Sequence, residues 1–395
     1  MTYVVVIVLI AFAFDFINGF HDSANAIATI VGTRVLSPGA AVLWAATFNF
    51  AAVFLGSTAV AKAVSSGFVE QSVVTPSVIC AGLLGAIVWN LITWYVGIPS
   101  SSSHAIIGGF SGAAVGKAGF AALLWGTKWI ETLSFIVISP LLGMTIGFVM
   151  MVLVYNLFQK ATPRRVDKVF RPGQLLSSAA MGIAHGSNDA QKTIGIVVGL
   201  LVASKAQFAG KTGFASYLYV ESADHIPAWL KVCAFTCMSL GTLFGGWRIV
   251  HTMGSRITKL RPVGGFCAET GGAVAILLAT RFGIPVSTTH TITGSIVGVG
   301  AMHRLWALRC GIAVRIVADG QRFRLLLALA AGEKRDELKQ HVRRGRKRHA
   351  VTQHLAQGTP ADGKIRRRIE GADHRIDQRR IVVGEDPEGI ADRVV

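Results

Sequence analysis

The sequence predicts an all-α integral membrane protein: a polytopic bundle of transmembrane helices with an inverted-topology repeat, two broken helices and two re-entrant hairpins. Three observations predict it. First, charge is scarce over most of the chain. Of 395 residues 52% are hydrophobic and 15% charged, and residues 1–301 hold only 18 of the 39 Lys/Arg and 9 of the 21 Asp/Glu. A soluble domain carries about a quarter charged residues, so long uncharged runs point to lipid. Second, Gly283-Ile-Pro-Val-Ser287-Thr288-Thr289-His290-Thr-Ile-Thr-Gly294 is a near copy of Gly97-Ile-Pro-Ser-Ser101-Ser102-Ser103-His104-Ala-Ile-Ile-Gly108. Third, polar segments carrying Asp22 and Asp189 interrupt apolar runs at corresponding places in the two halves.

Taken in order, residues 3–14 are apolar, Asp15 to Asn25 interrupt, and 26–31 resume. That pattern predicts one span broken at mid-membrane depth, where irregular backbone is tolerated only if buried in protein or lining a cavity. No basic region or small-residue cleavage pattern at the start suggests a secretory signal. Residues 40–61 are long enough to cross once. Residues 77–98 run into the first Gly-Ile-Pro-hydroxyl segment, followed by 105–115, and 132–158 form a long span with Pro140 and Gly143 as a predicted kink. The basic stretch Lys160, Arg164, Arg165, Lys168 and Arg171 is expected on the cytoplasmic side. Apolar runs at 176–184 and 194–203 are split by His185 to Lys192, 204–226 is polar, and 228–247 reads as a span. A second basic loop with Arg248, Arg256, Lys259 and Arg261 falls on the same side, and 263–280 and 286–301 flank the second hydroxyl segment.

If each hydroxyl segment is the tip of a re-entrant hairpin, the first hairpin opens outside and the second inside. The broken spans then run in opposite directions. That is an inverted-topology repeat, an architecture of many secondary transporters, with substrate held near the midplane. The predicted division is an N-terminal membrane repeat at 1–158, a basic cytoplasmic loop at 159–173, a C-terminal membrane repeat at 174–317 and a polar basic tail at 318–395.

The chemistry follows from residue types. Hydroxyls beside unpaired backbone N–H groups at a helix start suit an anion. A carboxylate inside a membrane is kept for cation binding, proton relay or pairing, which marks Asp22 and Asp189. Asn18, Asn25, Asn188 and Gln191 can add side-chain oxygens, with carbonyls freed at the breaks. Lys192 either neutralises Asp189 or touches the anion directly. His104 and His290 either pin the hairpin tips or carry a proton. The five cysteines show neither disulfide nor zinc spacing. Without a Gly-x-Ser-x-Gly elbow, the serine runs do not read as a hydrolase, and the chain is not expected to be an enzyme. No cofactor is expected.

With those residues in place, Asn18-Gly-Phe-His-Asp22-Ser-Ala-Asn25-Ala and His185-Gly-Ser-Asn188-Asp189-Ala-Gln191-Lys192 resemble the paired signatures of the inorganic phosphate transporter (PiT) family. The two Gly-x-Pro-hydroxyl-His segments match as well, in the right order and halves. The second signature looks most like the bacterial low-affinity branch, and the resemblance covers about residues 5–317. It implies a multi-pass protein of the inner (plasma) membrane that imports inorganic phosphate by symport with a proton or a sodium ion, the phosphate travelling either alone or with a divalent metal. It also implies that Ser101, Ser102, Ser103, Ser287, Thr288 and Thr289 hold phosphate, and that Asp22, Asn25, Asn188 and Asp189 bind the coupling cation or help close the site. A doubly charged anion beside two carboxylates is unfavourable unless cations arrive with it, which argues for symport over a passive pore.

The tail departs from the family, because Leu325–Ala331 is too short to cross. It reads as a basic arm for anionic lipid or nucleic acid, as a solvated tail, or as the product of a reading frame that slipped near residue 318. Membrane lipid is an expected partner, nucleic acid is not, and a homo-oligomer stays open. The alternatives to phosphate are another oxyanion such as sulfate, or a receptor or scaffold that transports nothing.

Overall fold

Helix starts and stops follow the local chemistry. The computed structural model describes residues 1–256 and 260–303. The chain divides into two units, Met1–Glu333 and Lys334–Val395, and every described residue lies in the first; the tail at 318–395 falls outside the described residues. Helix α1 spans Thr2–Gly32, α2 Pro38–Ala51, α3 Ala59–Ser66, α4 Pro76–Val96, α5 Ser102–Ala118 and α6 Thr127–Phe158. Then come α7 at Pro163–Ala203, α8 at Ala228–Phe244, α9 at Trp247–His251, α10 at Pro262–Arg281 and α11 at Thr288–His303. Proline opens α2, α4, α7 and α10 at the position where its missing N–H costs nothing. Five of these stretches are long and apolar enough to cross a membrane, six if the bent pair α8–α9 counts as one. Large apolar side chains such as Leu84, Val88 and Ile92 on α4 and Leu141, Phe148 and Leu153 on α6 stay exposed, as lipid-facing surfaces do.

Three sequence-based expectations are corrected here. The Asp22 and Asp189 segments are not breaks: α1 is one continuous helix of 31 residues and α7 one of 41. No carbonyls are therefore freed at these motifs. Their polar side chains find partners on neighbouring helices and on the hairpin tips, so the backbone keeps its own ladder. The breaks sit in the flanking helices instead. The stretch expected to cross once at 40–61 ends at Gly56, with φ of 68°, before α3 begins, and α8 meets α9 at a 65° bend at Gly245, with φ of 67°. Glycine reaches that left-handed conformation without the Cβ clash that penalises other residues. The basic segment is also largely helical, since α7 starts at Pro163 and carries Arg164, Arg165, Lys168 and Arg171 in its first turns. Pro140 lies inside the unbroken helix α6.

The two long helices α1 and α7 run antiparallel through the centre. Asp15 meets Thr193 near one end of their seam, and Thr33 meets Gln174 near the other. Every residue of α1 from Asp22 to Ile30 is buried, as is every residue of α7 from Ala184 to Leu201. Glycine sets the approach of each central helix to its neighbour. A Cβ at Gly19 of α1 would lie 2.0 Å from the Met238 carbonyl oxygen of α8, and one at Gly186 of α7 would lie 2.5 Å from that of Asn49 on α2. The pairs α4–α5 and α10–α11 form the two expected hairpins. Gly82 and Gly109 bring α4 and α5 into backbone contact, and α6 lies against the second hairpin through Gly143 and Gly147, which meet Thr291 and Ser295 of α11.

Candidate functional site

The hairpin tips converge on the polar faces of α1 and α7. At the first tip Gly97 closes α4 and Ser101 caps α5, its Oγ accepting from His104 N at 3.2 Å. At the second, Ser287 Oγ accepts from His290 N at 3.2 Å. These two hydroxyls serve as helix caps, which explains why a serine stands three residues before each histidine. The tips touch each other directly. Ser103 Oγ donates to the Val286 carbonyl at 3.0 Å, Thr289 Oγ1 donates to the Ser100 carbonyl at 3.2 Å, and the rings of His104 and His290 meet edge-on with centroids 5.1 Å apart. Both histidines thus sit where the two tips abut.

The carboxylates are held by the tips. Asp22 Oδ2 accepts from Ser102 Oγ at 2.5 Å, and its Oδ1 lies 2.6 Å from His21 Nδ1. His21 Nε2 is in turn 3.0 Å from Thr93 Oγ1, which also receives Ser100 Oγ at 3.0 Å, so α4 fixes the ring. On the other side Asp189 Oδ2 accepts from Thr288 Oγ1 at 3.2 Å, while Oδ1 pairs with Lys192 Nζ. Lys192 is 2% exposed and also donates to Ser103 Oγ at 2.5 Å and the Val286 carbonyl at 3.0 Å, so one ammonium joins α7 to both tips. Asn25 Nδ2 donates to Thr289 Oγ1 at 2.9 Å and Thr288 Oγ1 at 3.2 Å.

Two predicted cation-site residues behave differently. Asn188 Nδ2 donates to Thr280 Oγ1 at 2.8 Å, leaving a buried Oδ1 without a hydrogen-bond partner. Gln191 is turned away to α3, where its Oε1 accepts from Val60 N at 3.0 Å and Ala61 N at 3.4 Å, capping that helix start. The structure does not bring Gln191 to the carboxylates.

Sequence reasoning left His185 without a role. Its Nε2 lies 3.2 Å from Asp189 Oδ2, and its Nδ1 lies 3.2 Å from Asn49 Oδ1. Ligand atoms of Asp22, His185 and Asp189 all fall within 4.8 Å of one another, and all three residues are buried. Two carboxylates, one imidazole and the unpartnered oxygens Asn18 Oδ1 and Asn188 Oδ1 on the same two helices make a donor set that fits a cation. The spacing of His185 and Asp189, four apart, would have placed both on one helix face. That signal is invisible once the segment is read as a break.

A second buried carboxylate cluster was also missed. Glu269 of α10 accepts from Thr29 Oγ1 at 2.6 Å, Gln174 Nε2 at 3.0 Å and Ser177 Oγ at 2.6 Å, tying α10 to both central helices. Outside the membrane helices, Lys62 lies 2.7 Å from Asp224 and holds its exposed carboxyl below the usual carboxylate range.

Comparison with known proteins returns one consistent family. A family model described as the phosphate transporter family matches residues 18–319. A probable low-affinity inorganic phosphate transporter of Rhizobium meliloti (strain 1021) is 50% identical over 311 residues, covering 79% of this chain and 89% of the relative. Its counterpart in Bacillus subtilis (strain 168) is 43% identical over 315 residues, covering 79% and 90%. A solved structure named the sodium-dependent phosphate transporter superposes with a TM-score of 0.74 at 26% identity, covering 84% of this chain and 98% of that one.

Proposed function

Since the chain belongs to the phosphate transporter family, we propose that it imports inorganic phosphate across the plasma membrane by symport with a cation, a proton or a sodium ion. The solved relative's description as sodium-dependent supports cation coupling in general. By sequence the membrane body reads as two repeats of opposite topology, 1–158 and 174–317, joined by the basic segment 159–173, with residues 304–317 outside the described residues.

One observation carries the mechanism. The hydroxyls that suit phosphate donate to the carboxylates that suit a cation: Ser102 to Asp22 and Thr288 to Asp189. A hydroxyl has one proton, so it cannot donate to a carboxylate and to a phosphate oxygen at once. A cation on Asp22, Asp189 and His185 offsets their charge and releases Ser102 and Thr288 toward the anion. The same cation relieves the repulsion between phosphate and the two carboxylates, so each ligand strengthens the binding of the other. Lys192 contributes a fixed positive charge at Ser103, Asn25 orients Thr288 and Thr289, and Ser101 and Ser287 hold the N–H groups of each tip in register. A divalent metal carried with phosphate would occupy the same donor set, as cargo. Import then requires the two tips to part alternately toward either side of the membrane, with α1 and α7 as the shared wall.

Uptake of labelled phosphate into transporter-deficient cells tests this reading. Uptake is expected to fall on ionophore treatment or on sodium removal, and which of the two identifies the ion. Asp22→Asn and Asp189→Asn are each expected to abolish coupled uptake while the protein still reaches the membrane. Near-normal uptake by both variants sinks the site assignment, and efficient competition by sulfate replaces phosphate with a broader oxyanion substrate.

A further inference from the structure

Asp15 is a buried membrane carboxyl that the phosphate site does not use. It is 0% exposed on α1, and its Oδ1 accepts from Thr193 Oγ1 of α7 at 2.6 Å. Its Oδ2 has no hydrogen-bond partner, and among the described residues no cationic side chain lies within ion-pair distance of it. Each of the other buried carboxyls described here (Asp22, Asp189 and Glu269) has both oxygens partnered. An isolated carboxylate in this setting is costly, and the group is stable there when neutral or when it exchanges charge as part of its work.

Its place on the seam gives that exchange a direction. Asp15 precedes Asp22 by seven residues, two turns along the same face of α1 and about 10 Å away. Thr193 follows Asp189 by four residues, one turn along the same face of α7. The pair therefore forms the next polar layer beyond the two site carboxylates, toward the C-terminal end of α7. That end is opposite the basic first turns of α7, so the layer faces outward by the positive-inside rule. Asn18 stands between, three residues after Asp15 and four before Asp22, with a buried Oδ1 that also lacks a hydrogen-bond partner. A proton on Asp15 Oδ2 would neutralise the carboxyl and give that oxygen a donor, and Asn18 Oδ1 on the same face can accept a hydrogen bond but not the proton itself. A single carboxyl beside one threonine offers too few oxygens for a sodium or divalent ion, which takes roughly six.

We propose that Asp15 is a proton-binding station on the outward side of the phosphate site, exchanging its proton with the Asp22–Asp189 layer. This rests on the phosphate symport reading above. The step is proton transfer alone: an O–H bond forms on Asp15 with a proton delivered by external water, and it breaks as the proton forms a new O–H bond on a carboxylate of the Asp22–Asp189 layer, with no change of oxidation state. Among the described residues, Asp189 of α7 interacts electrostatically with Asp15, and Asp15 in turn with Cys237 of α8, a helix that also carries Lys231 and Cys233. Helix α2 carries no ionisable side chain, and α4 carries Cys80 and Tyr95.

The test uses the full chain in proteoliposomes with an internal pH indicator. Wild type is expected to acidify the lumen as phosphate enters. Asp15→Asn, which still accepts from Thr193 but cannot release a proton, is expected to lose net phosphate uptake and lumen acidification by roughly tenfold or more, while phosphate-for-phosphate counterflow falls far less. Asp15→Glu is expected to keep acidification with a displaced pH profile. Acidification per phosphate unchanged in Asp15→Asn overturns the proposal, and equal loss of uptake and counterflow overturns it in favour of a structural role. Should Asp15→Asn fail to reach the membrane, carbodiimide labelling of wild type decides, because the reagent attacks protonated buried carboxyls. Labelling of Asp15 is expected to fall as external pH rises, and pH-independent or absent labelling refutes the idea. Wild type that takes up no phosphate at all removes the transport reading, and this inference with it.

Discussion

Lys192→Met is the most informative single change. The lysine is 2% exposed, pairs with Asp189 and donates to Ser103 Oγ and the Val286 carbonyl, so its ammonium is the charge and the clasp at the centre of the molecule. Methionine fills nearly the same volume and removes only the charge and the donors. Asp189 is then a buried carboxylate without its cation, a situation that costs about 3–5 kcal/mol. Taking about 2 °C per kcal/mol for a body of this size, thermal unfolding in detergent should shift down by roughly 6–10 °C. The double variant Lys192→Met with Asp189→Asn removes both charges. It should regain most of that loss, leaving about 1 kcal/mol for each hydrogen bond not remade. Phosphate uptake should be absent from both. A double variant no more stable than Lys192→Met refutes the reasoning, because the deficit would then come from lost packing or lost tip contacts and not from an uncompensated charge.

Two further outcomes follow from packing and hydrogen bonding. Gly19→Ala and Gly186→Ala should each destabilise the protein by about 1–3 kcal/mol, since the added Cβ would meet backbone at 2.0 and 2.5 Å that cannot move aside, whereas Gly85→Ala, with nothing within 4 Å, should leave thermal stability unchanged. Glu269→Ala strands the donors of Thr29, Gln174 and Ser177 and should cost about 2–4 kcal/mol more than Glu269→Gln in the same unfolding assay, because the amide still accepts through its carbonyl oxygen.

What the residues alone determined is local and repeated. The duplicated Gly-Ile-Pro-hydroxyl-His segment specified two hairpin tips, because glycine and proline end one helix and a capping serine starts the next whatever surrounds them. The scarcity of charge specified a membrane, and Asp22 and Asp189 marked the polar stretch within each half. The tertiary structure decided whether those polar motifs broke their helices. Taken locally, a run such as Asn18 to Asn25 looks like a break. In the fold Ser102 of α5, Thr93 of α4 and Thr288 and Thr289 of α11 satisfy its side chains, partners that stand 72 to 264 residues away. The breaks moved instead to Gly56 and Gly245, where the backbone takes a positive φ that glycine adopts without strain. The meeting of His104 with His290, the reach of Lys192 across both tips and the turn of Gln191 toward α3 likewise belong to no segment by itself. Each is fixed by which buried polar atom comes within about 3 Å of another once the two halves have closed.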